Sequence, residues 1–259
     1  MTDCCLEETY FEKDIYLASF LDKHSITNLE EAYTMQKQWV SLFDEHFGGV
    51  SGYKLAYTTK VMQERVGLDS PAYGLLPTDK VYYEGQKLYR SDYYKLGFEA
   101  EIALKIGEDI TSDENISDIA KLSNKISMIA PAFEVIDGRA DPSMSNEERL
   151  LLSVAMNIFN EGIVLGDWTE NWESIDLPNI HCSMSINESV VGTGIGSDVM
   201  GNPLNSCLWL INELKSQGKG LEKGMIIITG SLISPKMVDE GDVVNIDMSE
   251  LGQVNTLVI

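Results

Sequence analysis

The chain has 259 residues, of which 44% are hydrophobic and 23% are charged, and its formal net charge is −22 at pH 7. This length supports one large domain or two small ones, and the hydrophobic content is sufficient for a sizeable core. The excess negative charge argues against partners of the same sign, namely nucleic acids and anionic membrane surfaces.

The cysteine pattern and the hydropathy predict a cytoplasmic protein. The four cysteines form no CxxC pair, and the adjacent Cys4 and Cys5 are a poor disulfide framework. No apolar run reaches the ~18–20 residues that span a bilayer. The acidic N-terminus lacks the basic start of an export signal, so we expect reduced thiols and no membrane association.

The first part of the chain is predicted to be helical. One amphipathic helix is expected over residues 6–23. A second is expected to begin near Thr27, where Thr27 and Glu30 have capping-box spacing, and to end at the glycine pair 48–49.

Short elements follow up to residue 80. A strand is predicted over 50–57, a helix starts near Thr59 and ends at Gly67, and residues 68–80 are predicted to form a loop because they contain three turn residues.

From about residue 81 the pattern changes to strands separated by turns. The predicted strands are 81–83, 87–89, 98–106, 128–136, 162–166, 180–186, 225–229, 242–247 and 253–259. Helices are predicted at about 116–123, 146–156 and 203–217. Because strands and helices do not alternate as βαβ units, the pattern predicts an α+β or mostly-β body.

Three carboxylates in apolar runs are the main chemical signal. Glu99 and Glu101 lie in the predicted strand 98–106, where side chains two residues apart face the same way. Glu134 lies in a second apolar run. Buried carboxylates are usually paired or metal-bound, so the trio suggests a hard divalent cation such as Mg²⁺ or Mn²⁺. The alternative is a solvated strand face.

Other motifs are weaker. The run Gly192-Thr-Gly-Ile-Gly196 has its third glycine one position too early for a dinucleotide loop. The three histidines, His24, His46 and His181, lack zinc-site spacing, and no GxSxG elbow is present.

Lys54 lies in the predicted strand 50–57. On spacing alone it is an exposed lysine, but beside a carboxylate site it would bind an anionic substrate or pass protons. Asp69, in the following loop, is by itself a turn former.

Ten short segments occur in a specific order. They are Gly52-Tyr-Lys-Leu55, Met62-Gln-Glu-Arg-Val-Gly-Leu-Asp69, Tyr73-Gly-Leu75, Glu99-Ala-Glu-Ile102, Pro131-Ala-Phe-Glu-Val-Ile-Asp137, Gly201-Asn-Pro203, Leu208-Trp-Leu210, Thr229-Gly-Ser-Leu232, Gly241-Asp242 and Leu251-Gly252. From about residue 50 to the C-terminus, their order and spacing resemble the 2-oxopent-4-enoate (2-hydroxypentadienoate) hydratase and 4-oxalocrotonate decarboxylase group. This group lies within the fumarylacetoacetate hydrolase superfamily.

The resemblance implies roles for individual residues. The metal ligands fall on Glu99, Glu101 and Glu134, with Mg²⁺ or Mn²⁺ as the ion, and the catalytic residues on Lys54 and Asp69. The implied substrate-binding residues are Leu75, Met156, Phe159, Thr229 and Ser231.

It also implies an architecture and partners. Residues 1–80 would form a helical N-terminal α/β part. Residues 81–259 would form a mostly-β catalytic body, a β-sandwich roll of the fumarylacetoacetate hydrolase type. The partners would be a small-molecule 2-oxo acid and further copies of the chain in a homo-oligomer.

The implied reaction is that of a metal-dependent lyase. A 2-oxo or 2-hydroxydienoic acid would react through a metal-stabilised enolate, most simply by hydration of a 2-oxopent-4-enoate-type substrate. Decarboxylation of a 2-oxo-3-enedioate is the alternative. Further alternatives are an isomerase or cyclase of a specialised pathway, and a catalytically silent subunit.

The chain departs from the group at several positions. Met156 stands where the group has an aspartate, Phe159 and Asn160 replace serines, Glu161 replaces a glycine, and Ala72 replaces another aspartate. If these positions line the pocket, it is drier and suits a larger apolar substrate, decarboxylation, tautomerisation or condensation. If they face away, the changes are repacking.

Overall fold

The computed structural model describes residues 4–259, with side chains from Leu6 onward. The α-helices are α1 (Cys4–Phe11), α2 (Ser19–Lys23), α3 (Leu29–Gln36), α4 (Gln38–His46), α5 (Lys60–Val66), α6 (Ile119–Ser123), α7 (Asn146–Ala155) and α8 (Pro203–Ser216). The β-strands are β1 (Val50–Ala56), β2 (Ala72–Pro77), β3 (Val81–Tyr83), β4 (Lys87–Leu88), β5 (Leu96–Ile106), β6 (Ile126–Asp137), β7 (Asn160–Leu165), β8 (His181–Ile186), β9 (Ser189–Ile195), β10 (Ile226–Ile228), β11 (Ile233–Met237), β12 (Val243–Asp247) and β13 (Gln253–Val258).

The strands form two sheets. The larger sheet has the order β2-β1-β10-β5-β6-β7-β3, and β11 also pairs with β5. The smaller sheet has the order β4-β13-β12-β8-β9, and its strands β12 and β13 lie against β6 of the larger sheet. The predicted α+β fold, a mostly-β body with N-terminal helices, is confirmed.

The first 80 residues supply strands as well as helices. Strand β1 lies between β2 and β10, so its main-chain hydrogen bonds join this part of the chain to the body. The sequence-based division at residue 80 therefore falls within one continuous sheet.

The predicted N-terminal helices are each interrupted. The chain between α1 and α2 is not helical. The buried Arg139 guanidinium donates hydrogen bonds to the carbonyl oxygens of Thr9, Tyr10 and Asp14, which a continuous helix would pair with its own N–H groups. The predicted second helix divides at Lys37 into α3 and α4.

The predicted cap at the start of α3 is wrong by one residue. The side chain of Asn28 accepts the Glu31 N–H at 3.0 Å, and the Glu31 carboxylate accepts the Thr27 N–H at 2.7 Å. Asn28 is an equally good cap residue, so two adjacent positions carry suitable capping side chains and the pattern alone does not distinguish them.

Three strands were not predicted, and the loop prediction for 68–80 is wrong. Residues Ala72–Pro77 form the fully buried strand β2, which pairs with β1. Its proline lies at the strand end, where a missing N–H is tolerated. The strands β9 and β11 contain glycines or a proline and a register shift, which hid their pattern.

The core packs against both faces of the larger sheet. One face, with Ile102 and Leu104 of β5, belongs to the main core shared with the helices. The other face carries a smaller cluster that includes Ala103, Ala130 and Ile228. The charged site lies farther along this second face, since Glu99 and Glu101 share the alternation of Ala103 on β5.

Candidate metal centre and cavity

The register of β5 and β6 brings the three carboxylates together. Glu99 lies directly opposite Glu134 in the antiparallel pair, and Glu101 faces Ala132. Because side chains alternate along a strand, Glu99 and Glu101 share the face of Ala103. One carboxylate oxygen from each glutamate lies within 4.8 Å of the other two, so the three side chains could hold one metal ion.

Two oxygen atoms of this cluster are buried and without a hydrogen-bond donor among the described residues. They are Oε1 of Glu101 and Oε2 of Glu134. The second oxygen of Glu101 accepts the Gly230 N–H at 2.7 Å. Buried carboxylate oxygens without partners are costly, and a hard divalent cation satisfies this kind of ligand. The residues present therefore fit a divalent metal ion.

Lys54 approaches the carboxylates from the next strands of the sheet. It lies on β1 beside Ile228 of β10, and β10 pairs with β5. Its Nζ lies 2.8 Å from Oε1 of Glu134, and both side chains are almost completely buried, with exposures of 3% and 0%. Asn160 donates to the same Oε1 at 3.0 Å, which leaves Oε2 of Glu134 free for a metal.

The electrostatics follow from burial and from like charge. Burial, followed by the adjacent Glu134, raises the pKa of Glu99 to about 8, and the opposing effect of Lys54 is smaller. Burial, followed by Glu134, also raises the pKa of Glu101 well above its ordinary value. Burial lowers the pKa of Lys54, but the three carboxylates outweigh it, so the net pKa lies above 10.5 and the amine is protonated. Without a metal, the site thus favours the protonated forms of Glu99 and Glu101 beside the Lys54 ammonium group.

A cavity of about 1100 Å³ opens from this cluster. Its lining includes Lys54, Glu99, Asp69, Phe159 and Ser231, which the sequence had proposed as site residues. Asp69 is exposed and lies at the rim of the cavity.

The other proposed substrate-binding residues lie outside the cavity lining. Met156 is buried in the main core at the C-terminal end of α7. Leu75 is buried on β2, and its N–H and C=O bond the side chain of Asn157. The Thr229 hydroxyl is buried without a hydrogen-bond partner in the described part of the chain.

Several residues that sequence reasoning did not single out also contribute to the site. The Tyr57 ring lines the cavity, and its hydroxyl lies 2.7 Å from Ser153 Oγ on α7. Gly230 supplies the N–H to Glu101. No local pattern marks these residues, because Tyr57 follows a strand with φ 55° and so leaves the alternation.

A strained turn forms part of the cavity wall. Asn157, Ile158 and Phe159 have φ values of 53°, 54° and 56°, so three consecutive non-glycine residues are left-handed. This conformation costs ~1–2 kcal/mol per residue. Asn157 donates to the Leu75 carbonyl and accepts the Leu75 N–H, and these two hydrogen bonds hold the turn, in which Ile158 and Phe159 line the cavity.

The cysteines and the lengths of the helices relate to the predictions of reduced thiols and of no membrane-spanning segment. Cys182 and Cys207 are free and buried, whereas the side chains of Cys4 and Cys5 lie outside the described part of the structure. Within that part, no helix combines the length and apolar character needed to cross a membrane.

Comparison with known proteins finds one matching family model and several similar enzymes. The family model described as fumarylacetoacetate (FAA) hydrolase C-terminal matches residues 51–259. The 2-oxo-hept-4-ene-1,7-dioate hydratase of Escherichia coli is 27% identical over 253 residues, covering 96% of this chain and 94% of that protein. The 4-oxalocrotonate decarboxylase of Pseudomonas putida is 27% identical over 241 residues, covering 90% and 89%.

A solved structure has the same fold. It is the 4-oxalocrotonate decarboxylase from Pseudomonas putida G7, complexed with magnesium and adipate. Its TM-score is 0.89 at 23% identity, and the match covers 98% of this chain and 95% of that one.

Proposed function

Because the chain belongs to the fumarylacetoacetate hydrolase family, we propose that it is a divalent-metal-dependent lyase that hydrates a 2-hydroxydienoic acid or its 2-oxo form. The observation that carries the proposal is the group of three carboxylates, with two unpartnered buried oxygens, next to a protonated lysine at the inner end of a large cavity. The similarity to curated hydratases over nearly the whole chain supports the same reaction class.

In the proposed site, Glu99, Glu101 and Glu134 hold Mg²⁺ or Mn²⁺. The bound ion would supply positive charge that stabilises negative charge on a substrate oxygen. The substrate would be a small-molecule 2-oxo acid, with its carboxylate and 2-oxygen at this end of the cavity.

Lys54 has two proposed tasks. Its Nζ is protonated beside Glu134, so it adds positive charge to the site and carries a transferable proton. This charge stabilises an anionic substrate, and the proton is available for transfer to or from the substrate. The Tyr57 hydroxyl, held by Ser153, is a further proton donor on the same cavity wall.

Asp69 is proposed to act as an acid or base at the rim. In hydration, the 2-hydroxyl group of the dienol loses a proton and carbon 5 gains one. Water then adds its oxygen at carbon 4 and a proton at carbon 3. Asp69 is exposed to the solvent from which this water comes, while the apolar inner wall limits water near the carboxylates.

Decarboxylation is the second candidate. It is favoured by the similarity to the Pseudomonas putida 4-oxalocrotonate decarboxylase over 90% of the chain. The same metal, lysine and enolate chemistry would serve, with electrons released by loss of CO₂ instead of a proton. For either reaction, we propose a homo-oligomeric enzyme.

The test is a direct assay of both reactions. Purified protein is mixed with 2-hydroxypenta-2,4-dienoate with and without Mg²⁺, and the ultraviolet absorbance of the dienol is followed in ¹⁸O-labelled water. We expect Mg²⁺-dependent bleaching with labelled oxygen in the hydroxyl group at carbon 4 of the product, because the 2-oxo oxygen can exchange with water without enzyme. Release of CO₂ from 2-oxohex-3-enedioate would instead support the decarboxylase. If neither substrate reacts faster than in buffer with Mg²⁺ alone, the proposed function is wrong.

A further inference from the structure

The cavity is much larger than its ionic end. Its volume of about 1100 Å³ exceeds the ~300–1,000 Å³ of pockets that enclose drug-sized molecules. The ionic groups Lys54 and Glu99 occupy one region of the lining. The apolar side chains of the lining include Ile136, Ile158, Phe159, Met200, Trp209 and Leu232.

Part of this apolar wall has a strained backbone conformation. Ile158 and Phe159 belong to the left-handed turn, and a β-branched residue such as Ile158 is rare in that conformation. The Phe159 ring also stacks on Tyr16, with 6.1 Å between ring centroids and an interplanar angle of 22°. Backbone strain that is held by hydrogen bonds and ring contacts often marks a ligand-binding surface.

The cavity lining has few cationic side chains to neutralise a second carboxylate. Among the described lining residues, the cationic side chains are Lys54 and Lys60. Lys54 is paired with Glu134, and the exposed Lys60 donates to Gln63 at 3.1 Å.

The acidic residues of the cavity lining further disfavour a second carboxylate on the substrate. Asp69 and Asp198 are exposed residues that line the same cavity. A distal carboxylate would therefore lie against apolar side chains and neutral hydroxyl groups, or reach a rim that carries two negative groups and one positive group. Both positions disfavour an anion, the first through desolvation and the second through like charge.

We propose that the substrate carries a single carboxylate, at the metal end, and an apolar chain or ring at the other end. The inference rests on the proposed function for the orientation of the 2-oxo acid, and it adds the chemical class of the tail. It also separates the two candidate reactions, because 2-oxohex-3-enedioate carries two carboxylates and a tailed monocarboxylic dienoate carries one.

Calorimetric binding to the Mg²⁺-loaded protein tests the tail without turnover. The probes are pyruvate, 2-oxooctanoate and 2-oxooctanedioate, of which the last two have equal chain lengths and differ in the distal carboxylate. We expect 2-oxooctanoate to bind at least about tenfold more tightly than each of the other two, because its methylene groups leave water.

A charge-introducing variant sharpens the test. Met62 lines the cavity and is 38% exposed, so Met62→Arg places a cation on the wall without disturbing the core. It should improve binding of 2-oxooctanedioate severalfold relative to 2-oxooctanoate. The matched control is Val190→Arg, which adds the same charge on β9 at a position that is 65% exposed and outside the cavity lining.

The outcomes distinguish this inference from the proposed function. The inference is overturned if 2-oxooctanedioate binds as tightly as 2-oxooctanoate, if the apolar tail adds nothing over pyruvate, or if none of the three acids binds. If the acids bind in the expected order but dienoates are neither hydrated nor decarboxylated, the proposed reaction fails and the tail class stands. If dienoates react but those with a distal carboxylate are preferred, the reverse holds.

Discussion

Replacing Lys54 with methionine removes the positive charge that contacts Glu134 while keeping a side chain of similar length. The Nζ–Oε1 distance is 2.8 Å, and both groups are buried. At an effective dielectric constant of about 20, two unit charges at this distance attract by about 6 kcal/mol. Desolvation of the ammonium group offsets part of this, and removing one partner of a buried pair costs about 3–5 kcal/mol.

The cost should depend on pH. At about pH 5, Glu99 and Glu101 are protonated, because their pKa values are raised, so Lys54 balances less negative charge. Above about pH 8 both Glu99 and Lys54 carry charge. We therefore expect the Lys54→Met variant to lose about 3–5 kcal/mol of unfolding free energy near the higher pH and less near the lower one.

Urea denaturation of the metal-free protein in EDTA measures this at both pH values. The control is Lys87→Met, because Lys87 is exposed on β4 and its loss should change the stability much less. Addition of Mg²⁺ should stabilise the Lys54→Met variant more than the wild type, since the ion supplies the missing positive charge. The electrostatic reasoning is refuted if the variant loses less than about 1 kcal/mol at the higher pH, or loses more at the lower pH.

Three further predictions concern the carboxylates and the loop beside them. The Glu101→Gln variant should bind Mg²⁺ at least about tenfold more weakly by calorimetry, because a neutral amide replaces an anionic ligand. The exposed control Glu108→Gln should bind Mg²⁺ as the wild type does, and equal affinities of Glu101→Gln and wild type would exclude Glu101 as a ligand. The raised pKa of Glu99 contributes stability to the metal-free fold below about pH 4.5, and this contribution is lost as the pH rises to about 8. The Glu99→Gln variant mimics the protonated form, so its unfolding free energy should increase relative to that of the wild type across this range. A difference in unfolding free energy that stays constant with pH would contradict the raised pKa of Glu99. In the Gly230→Ala variant the new Cβ would lie 2.3 Å from the Thr58 hydroxyl oxygen at a φ of 107°, so the loop must shift and displace the N–H that donates to Glu101. Lower thermal stability and weaker Mg²⁺ binding are expected. Wild-type values for both would show that the loop adapts freely.

The sequence alone determined the chemistry of the candidate site. Side chains alternate along any strand, so Glu99 and Glu101 had to share a face wherever the strand lay. The apolar residues around them and around Glu134 favoured burial, and buried charge needs partners. The order of the short motifs then identified the family and the expected fold, which the strands β5, β6 and the two-sheet architecture bear out.

The sequence was less informative where local signals conflict with tertiary pairing. Residues 72–77 contain a glycine and a proline, which predicted a loop, yet main-chain hydrogen bonds to β1 make them a buried strand. The continuous stripe of helix residues before Gly48 similarly hid the break at Lys37. The catalytic and substrate-binding roles of individual residues stay predictions until the variants are measured.

Only the tertiary structure decided the distances. The register that sets Glu99 opposite Glu134, and the parallel pairing that places Lys54 beside β10, join residues far apart in sequence. Local periodicity specifies which way a side chain points, but it does not specify which strand lies next to it. That neighbour is set by packing of the whole sheet, which is why local periodicity did not predict that Lys54 pairs with Glu134, or the left-handed turn of the cavity wall.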